Sequence, residues 1–385
     1  MTSLDTAPAD AGVPARIISA DCHVNEPPHV FEGVPTQFRG RTPKLLRAAD
    51  GGDGWSFDGG PPKRSFGVEA TAGREQADKK MSGLTFDEIL PGNYNGTAHV
   101  VDMQKDGVDV SIVYPNNAIF TYIEPDRELA IACMQSYNDW VLDEFQGAAP
   151  DHIVALPMLP VDDGMDVCIA ELDRCVAKGA RAGFIPGFPI QPYHSSYYDP
   201  LYERVADAGL PLTFHRTFGG KPAEADYDEL VEQKISTAGT VYRFFAAVRP
   251  FTYMAFGNVF DRHPDLRFVA AEVNCGWLPF WAQTMEQNFD IRSAFVDDDS
   301  IGSDLRPTDH LGRNLFVTVL DDHVGFAMIG AFPYLADTAM YSSDYPHSVT
   351  LWPNSRDYIA KLGAGVDLDA MRKITSGNAE RVYGL

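Results

Sequence analysis

Positive charge is what this sequence has least of. Its 385 residues carry 31 Lys and Arg against 54 Asp and Glu, a formal net charge of −23. A surface of that sign repels polyphosphate backbones and anionic bilayers, so nucleic acid and membrane are set aside as partners. Small anionic substrates stay open, because a metal ion or a local group of Arg and Lys can reverse the field inside a pocket. Cysteine is also sparse. Cys22, Cys133, Cys168, Cys175 and Cys275 are odd in number, and their spacing fits neither a CxxC metal site nor a disulfide framework. A reducing, cytoplasmic setting is the simplest reading. No apolar run reaches the roughly 20 residues needed to span a bilayer. Residues 1–15 have no basic stretch and no apolar stretch of the kind a secretory leader needs, and their Ala, Asp and Pro content predicts a short disordered leader. Beyond that leader there is no low-complexity tract, and no internal repeat is visible.

What is present is a large apolar fraction, 45% against 22% charged, enough for a sizeable core. Eight short runs read as buried parallel strands: Arg16–Asp21, Val108–Tyr114, Ile153–Leu156, Ala182–Ile185, Pro211–Phe214, Arg267–Ala271, Leu315–Val319 and Thr338–Tyr341. Helical patterns fall between most of them, at Asp126–Phe145, Gly164–Lys178, Tyr202–Ala208 and Trp277–Phe289, with another at Asp367–Leu385. Eight strands alternating with helices predict a (β/α)₈ TIM-type barrel, a single domain over residues 16–385. The rival, an open doubly wound sheet, usually has a glycine-rich phosphate loop after its first strand. Here that strand runs into DCHVNEPP, which is no such loop.

Two connections are long. Residues 24–105 hold the turn clusters GDGW, GGPPKR and PGNYNG before a helical DMQKDG stretch, and are read as a cap inserted after the first strand. Arg216–Asp265 contains an aromatic-rich interior, Tyr242–Phe260, that reads as helical.

In a barrel of this kind, chemistry sits at the C-terminal ends of the strands. Asp21 and His23 end the first strand, His215 the fifth; Glu272 and Asn274 follow the sixth; Asp344 and His347 follow the eighth. Burying so many ionisable groups without a cation would be costly. A divalent metal removes that cost. Asp21 and His23 are two apart and so share one side of an extended strand end. The candidate ligands are Asp21, His23, His215 and Asp344, with Glu272 available. Any one of these residues alone would more often be a hydrogen-bonded structural group; the case rests on the set.

At these residues the chain resembles the amidohydrolase-related family, in the branch of aminocarboxymuconate-semialdehyde decarboxylase and the dihydroxybenzoate decarboxylases. The segments that carry the likeness are IISADCHVNEPP (17–28), DGVDVSIVYP (106–115), LTFH (212–215), HPDLRFVAAEVNCGWLPF (263–280), YSSDYPHSVTLWPNS (341–355) and ITSGNAERVYGL (374–385). The resemblance implies a (β/α)₈ barrel with one catalytic divalent metal, often zinc or manganese. It matches Asp21 and His23 to the first-strand ligand pair, His215 to the fifth-strand ligand, and Asp344 to the eighth-strand aspartate that binds metal and moves protons. Two departures stand out. Asp21 lies where relatives often carry His or Glu, and the sixth-strand His of the decarboxylases is absent, with Glu272 the nearest candidate. The resulting shell is rich in carboxylates, which suits manganese or iron, and several carboxylates could bridge two ions.

The expected activity is hydrolysis or decarboxylation of a small organic or aromatic acid, with Asp344, His215 and His347 as the catalytic groups. One alternative is a di-iron monooxygenase acting on a bulky apolar acyl thioester, as a few relatives of this family are understood to be. Another is a non-catalytic binding barrel. Tyr94, Asn274 and Trp277 are the candidate substrate contacts. Trp55 and Phe120 could add to an apolar pocket, whereas Trp281 and Met285, four apart on one helix face, read as core. Lys63, Arg64 and Arg74 read as solvated loop residues that could meet an anion. Cys22, facing away from the ligand pair, reads as a packed thiol. The family's habit of dimerisation makes a homodimer an expectation.

Overall fold

The computed structural model describes residues 12–57, 59–216, 237–295 and 305–385. Most of the leader, and residues 217–236 of the second long connection, lie outside them. Among the described residues there are ten strands. Eight of them, β1 (Ile18–His23), β4 (Val110–Tyr114), β5 (Ile153–Ala155), β6 (Gly183–Phe184), β7 (Pro211–His215), β8 (Arg267–Ala271), β9 (Leu315–Val319) and β10 (Ala339–Tyr341), are the runs read from the sequence. Apart from Arg267 at the start of β8 they are buried along their length, and most of their residues are apolar, as in strands covered by helices.

All pairings among these eight are parallel, in the order β1-β4-β5 and β6-β7-β8-β9-β10. Two seams join the halves. Between β5 and β6, Phe184 N–H donates to Pro157 O at 2.8 Å and Leu159 N–H to Phe184 O at 2.9 Å. Between β10 and β1, Asp344 N–H donates to Asp21 O at 3.0 Å and His23 N–H to Tyr345 O at 2.7 Å. The second seam is therefore made by the residues proposed for chemistry. The ladder from β1 to β4 also slips between Ser19 and Cys22, an irregularity that re-aims Asp21.

Helices cover the strands. Gly96–Asp106 starts where Asn95 Oδ1 accepts from Ala98 N–H at 2.9 Å and stops at Gly107, whose φ of 70° only glycine adopts cheaply. Arg127–Asp139 is capped by Asp126 and runs on through a π-helical turn, Trp140–Gln146. Met165–Ala177 falls where the periodicity places it, and Leu278–Phe295 starts as read but runs on beyond Phe289. Asp199–Asp207 begins earlier than the pattern suggested, because Pro200 sits in the first turn, where its missing N–H costs nothing. Tyr242–Phe260 is three short helices, Thr237–Arg243, Val248–Phe256 and Val259–Arg262, with the last break at Gly257 and Asn258, the latter at φ 54°. Between strands and helices the core is strongly aromatic; Phe214 meets Phe251 edge-on at 6.1 Å and Tyr202 meets Phe268 at 5.9 Å.

The segment between β1 and β4 carries the antiparallel hairpin of β2 (Lys44–Arg47) and β3 (Asp53–Ser56). Asn25 ties it to the barrel: its amide donates to Glu69 O at 2.8 Å and to Asn93 Oδ1 at 2.9 Å, and its Oδ1 accepts from Asn116 at 2.8 Å. Ser348 N–H donates to Val68 O at 2.7 Å and Ala72 N–H to Pro346 O at 3.1 Å, so residues 68–72 lie against the loop after β10. Trp281 and Met285 are buried, Trp281 donating its indole N–H to Thr252 Oγ1 at 2.8 Å.

Candidate metal centre

Strand ends from four sides of the barrel bring their polar side chains together. His23 Nε2 stands 3.3 Å from Asp21 Oδ1 and 3.3 Å from Asp344 Oδ1. His215 Nε2 is 3.9 Å from Asp21 Oδ1 and 3.3 Å from Glu272 Oε2. His347 Nδ1 is 3.0 Å from Asp344 Oδ1. Two sets have ligand atoms all within 4.8 Å of one another: Asp21, His23 and His215, and His23, Asp344 and His347. His23 belongs to both.

These contacts lack hydrogen-bond geometry. Asp21 Oδ1, both oxygens of Asp344 and both ring nitrogens of His23 are buried without a hydrogen-bond partner. Buried polar atoms are rarely left so, and several converging on one point ask for a common partner. Their chemistry, carboxylate oxygen with imidazole nitrogen, is that of a divalent-metal site, and these residues fit such an ion.

The charge state agrees. Burial raises the pKa of Asp21, and the neighbouring Asp344 and Glu272 add to the rise against the opposing pull of His23. Burial opposes a charge on His23, yet Asp21 and Asp344 outweigh it and push the imidazole up to about 10. Asp344 is likewise resisted by burial, but His347 and His23 hold it below the usual carboxylate range. His215 is driven well below its ordinary value by burial, then by His23 and Arg216, and so is neutral, as a ligand must be.

The backbone is shaped for this. Asp344 (φ 49°), Glu272 (φ 58°) and Asn274 (φ 58°) are left-handed non-glycine residues at the ends of β8 and β10. Such conformations cost about 1–3 kcal/mol each and cluster where function over-determines them. For Asp344 the restraint is a lattice of hydroxyls: Ser342 Oγ donates to Asp21 O at 3.2 Å, and Ser343 N–H donates to Ser19 Oγ at 2.8 Å.

A family model for amidohydrolases matches residues 98–385. The chain belongs to the amidohydrolase family. Curated proteins yield no match. Solved structures of low identity share the fold of this amidohydrolase. An amidohydrolase from Mycobacterium avium subsp. paratuberculosis K-10 is 19% identical over 96% of this chain and 99% of its own, with a TM-score of 0.74. The 5-carboxyvanillate decarboxylase LigW of Sphingomonas paucimobilis is 18% identical over 97% and 100%, with a TM-score of 0.65. A dihydroxybenzoic acid decarboxylase from Polaromonas sp. JS666, solved with bound manganese and the inhibitor 2-nitroresorcinol, is 18% identical over 96% and 97%, with a TM-score of 0.62.

In this amidohydrolase the sequence-derived residues separate into groups. Asp21, His23, His215, Asp344 and His347 are together. Glu272 stands beside them: one oxygen faces His215 and the other is ion-paired with Arg216. Asn274 Oδ1 accepts from Leu320 N–H at 3.1 Å, and Trp277 donates its indole N–H to Val273 O and Asn274 O at 3.1 Å. Tyr94 packs on Phe86 at 4.5 Å and makes no hydrogen bond or ring contact with the cluster. Trp55 meets Phe31 edge-on at 5.3 Å, and Phe57 reaches Phe120 at 5.6 Å. Arg64 lies 3.3 Å from Glu69, and Arg74 donates to Glu88 O at 3.0 Å. Cys22 is buried among Ser19, Ser111 and Ser343, its thiol pushed up to about 11 by burial, and it is no nucleophile.

Three neighbours escaped sequence reasoning. Arg216 pairs with Glu272 and stacks over Phe244, 4.2 Å from the ring centre. Tyr114 sets its ring 5.8 Å from His23 and 5.7 Å from His215, and its hydroxyl bonds Thr213 Oγ1 at 2.6 Å. Thr318 touches both Asp21 and Glu272. Arg216 directly follows a proposed ligand, and Thr318 is the lone polar residue in LFVTV; both signals were in the sequence.

Proposed function

We propose that this protein is a metal-dependent decarboxylase or hydrolase of a small aromatic or organic acid. The observation that carries this is the convergence of buried, partnerless donor atoms of Asp21, His23 and Asp344 at the strand ends of an amidohydrolase barrel. The names of the structural neighbours, decarboxylases of 5-carboxyvanillate and dihydroxybenzoic acid, support the acid substrate, and the manganese in one of them supports a divalent ion.

A divalent ion held by Asp21, His23, His215 and Asp344 would supply Lewis acidity toward substrate oxygen atoms or water. The rest falls to the chain. Asp344 and His347, 3.0 Å apart, form a proton-carrying pair. In decarboxylation this pair delivers a proton to the ring carbon that loses carbon dioxide. In hydrolysis it takes a proton from water. His215 stays neutral and keeps a lone pair for binding. Arg216 holds Glu272 in place of the sixth-strand histidine of the decarboxylases. Residues 68–72, against the loop after β10, act as the cap that limits water at the mouth. The test is turnover of hydroxylated benzoic acids and of simple esters, amides and lactones by protein loaded with manganese or zinc. Release of carbon dioxide or of a hydrolysis product supports the reading; no turnover of any of them counts against it.

A second reading is favoured by the carboxylates of Asp21 and Asp344, one in each donor set and both beside His23, which could bridge two ions as its imidazole could not. A di-iron site would suit oxygenation of a bulky apolar acyl thioester. It requires about two iron ions per chain and substrate-dependent oxygen uptake; one ion per chain with no oxygen uptake removes it.

A further inference from the structure

We infer that Thr318 is a positioning residue that makes Asp21 a one-oxygen metal ligand. Thr318 lies in β9, fully buried, and contributes nothing to the donor sets. Its hydroxyl is used twice. It accepts the backbone N–H of Glu272 at 2.7 Å, and it donates to Asp21 Oδ2 at 3.2 Å. A hydroxyl has one proton. Because the Glu272 N–H can only donate, the Thr318 proton is directed to the carboxylate.

The consequence falls on Asp21. Oδ2 is engaged by Thr318, while Oδ1 has no hydrogen-bond partner and faces His23 and His215. The two oxygens are thus given different tasks, and the aspartate is kept from turning both toward one ion. The same hydroxyl fixes Glu272 at φ 58°, where its side chain reaches His215 and Arg216. The Thr318 carbonyl accepts from Asn274 N–H at 3.1 Å, so one residue of β9 pins the whole turn after β8 to the first strand's carboxylate. Partners that orient metal ligands in this way typically change metal affinity by about 10–100-fold when removed.

This inference rests on reading Asp21 as a metal ligand, and the experiment separates the two. Full-length protein stripped with a chelator is titrated with Mn(II), free ion being followed by electron paramagnetic resonance, for the wild type and for Thr318→Ser, Thr318→Val and Thr318→Ala. The unfolding midpoint of each metal-free protein is recorded alongside. The hydroxyl-free valine and alanine variants are expected to bind Mn(II) about 10–100-fold more weakly, and the serine variant to stay close to the wild type. Valine keeps the volume of threonine and alanine does not, so a role in packing alone would order the variants by size. Equal Mn(II) affinity in all four, or an order set by volume, overturns the inference while leaving the metal site intact. If the valine variant does not fold, alanine against serine carries the same comparison. A wild type that binds neither Mn(II) nor Zn(II) overturns both readings.

Discussion

His347 lies flat on His23, with ring centroids 3.9 Å apart and planes 20° apart, and both imidazoles face the same oxygen of Asp344. Asp344 is therefore shared between two imidazoles of the same candidate donor set. His347 is the less buried of the two rings, with 17% of its side chain exposed against 3% for His23, although its Nε2 is itself buried.

Removing the proton carrier should separate turnover from metal binding. His347→Asn is expected to lower kcat by about 10²-fold or more while metal content stays at the wild-type level. Asp344→Asn should lower kcat by about 10²–10⁴-fold and weaken metal binding as well. Steady-state kinetics with metal analysis of the same samples checks both. Loss of metal from the His347 variant would place that imidazole among the ligands instead.

The Arg216–Glu272 pair is almost fully buried, with 9% and 6% of the side chains exposed. Glu272 is pushed up by burial and by Asp344, and Arg216 opposes both. Arg216→Gln leaves that carboxylate uncompensated and should cost about 3–5 kcal/mol in urea unfolding of the metal-free protein. The double variant Arg216→Met with Glu272→Gln should recover most of the loss, since neither side chain of the pair is then charged. Additive losses would show that the two side chains do not depend on each other.

A second buried histidine predicts the acid behaviour of the fold. His99 donates its Nδ1–H to Gly92 O at 2.9 Å, and burial drives its pKa from 6.5 down to about 4. A histidine with a depressed folded-state pKa stabilises the fold fully above the unfolded value, and that stability is lost as pH falls from 6.5 through 4. The shift corresponds to about 3 kcal/mol. His99→Gln should flatten the stability profile between those two pH values, measured by urea unfolding at pH 7, 5.5 and 4.5. A profile as steep as the wild type would assign the acid sensitivity to other groups.

Much of this architecture is legible in the sequence, for identifiable reasons. Buried parallel strands must be short, apolar and β-branched, so LFVTV and RIISAD announce themselves. A barrel places its chemistry at strand ends, so Asp21, His23, His215 and Asp344 follow once the strands are counted. What periodicity does not encode is pairing between side chains far apart in the chain. That Arg216, 56 residues away, holds one oxygen of Glu272 while the other faces His215 is such a pairing. So is the bond from Leu320 N–H to the amide oxygen of Asn274, which sits in a turn at φ 58°. The break in Tyr242–Phe260 depends on a left-handed Asn258, a conformation that asparagine tolerates but does not declare.

The central claim is that Asp21, His23, His215 and Asp344 hold a divalent metal. Its most direct test is elemental analysis of the full-length protein purified without added metal, beside His23→Ala and Asp21→Ala variants shown to be folded by circular dichroism. The account predicts at least one equivalent of zinc, manganese or iron per chain in the wild type and a stoichiometry near zero in both variants. A wild type that carries no metal and takes up none on addition, or variants that retain the full equivalent, would contradict it.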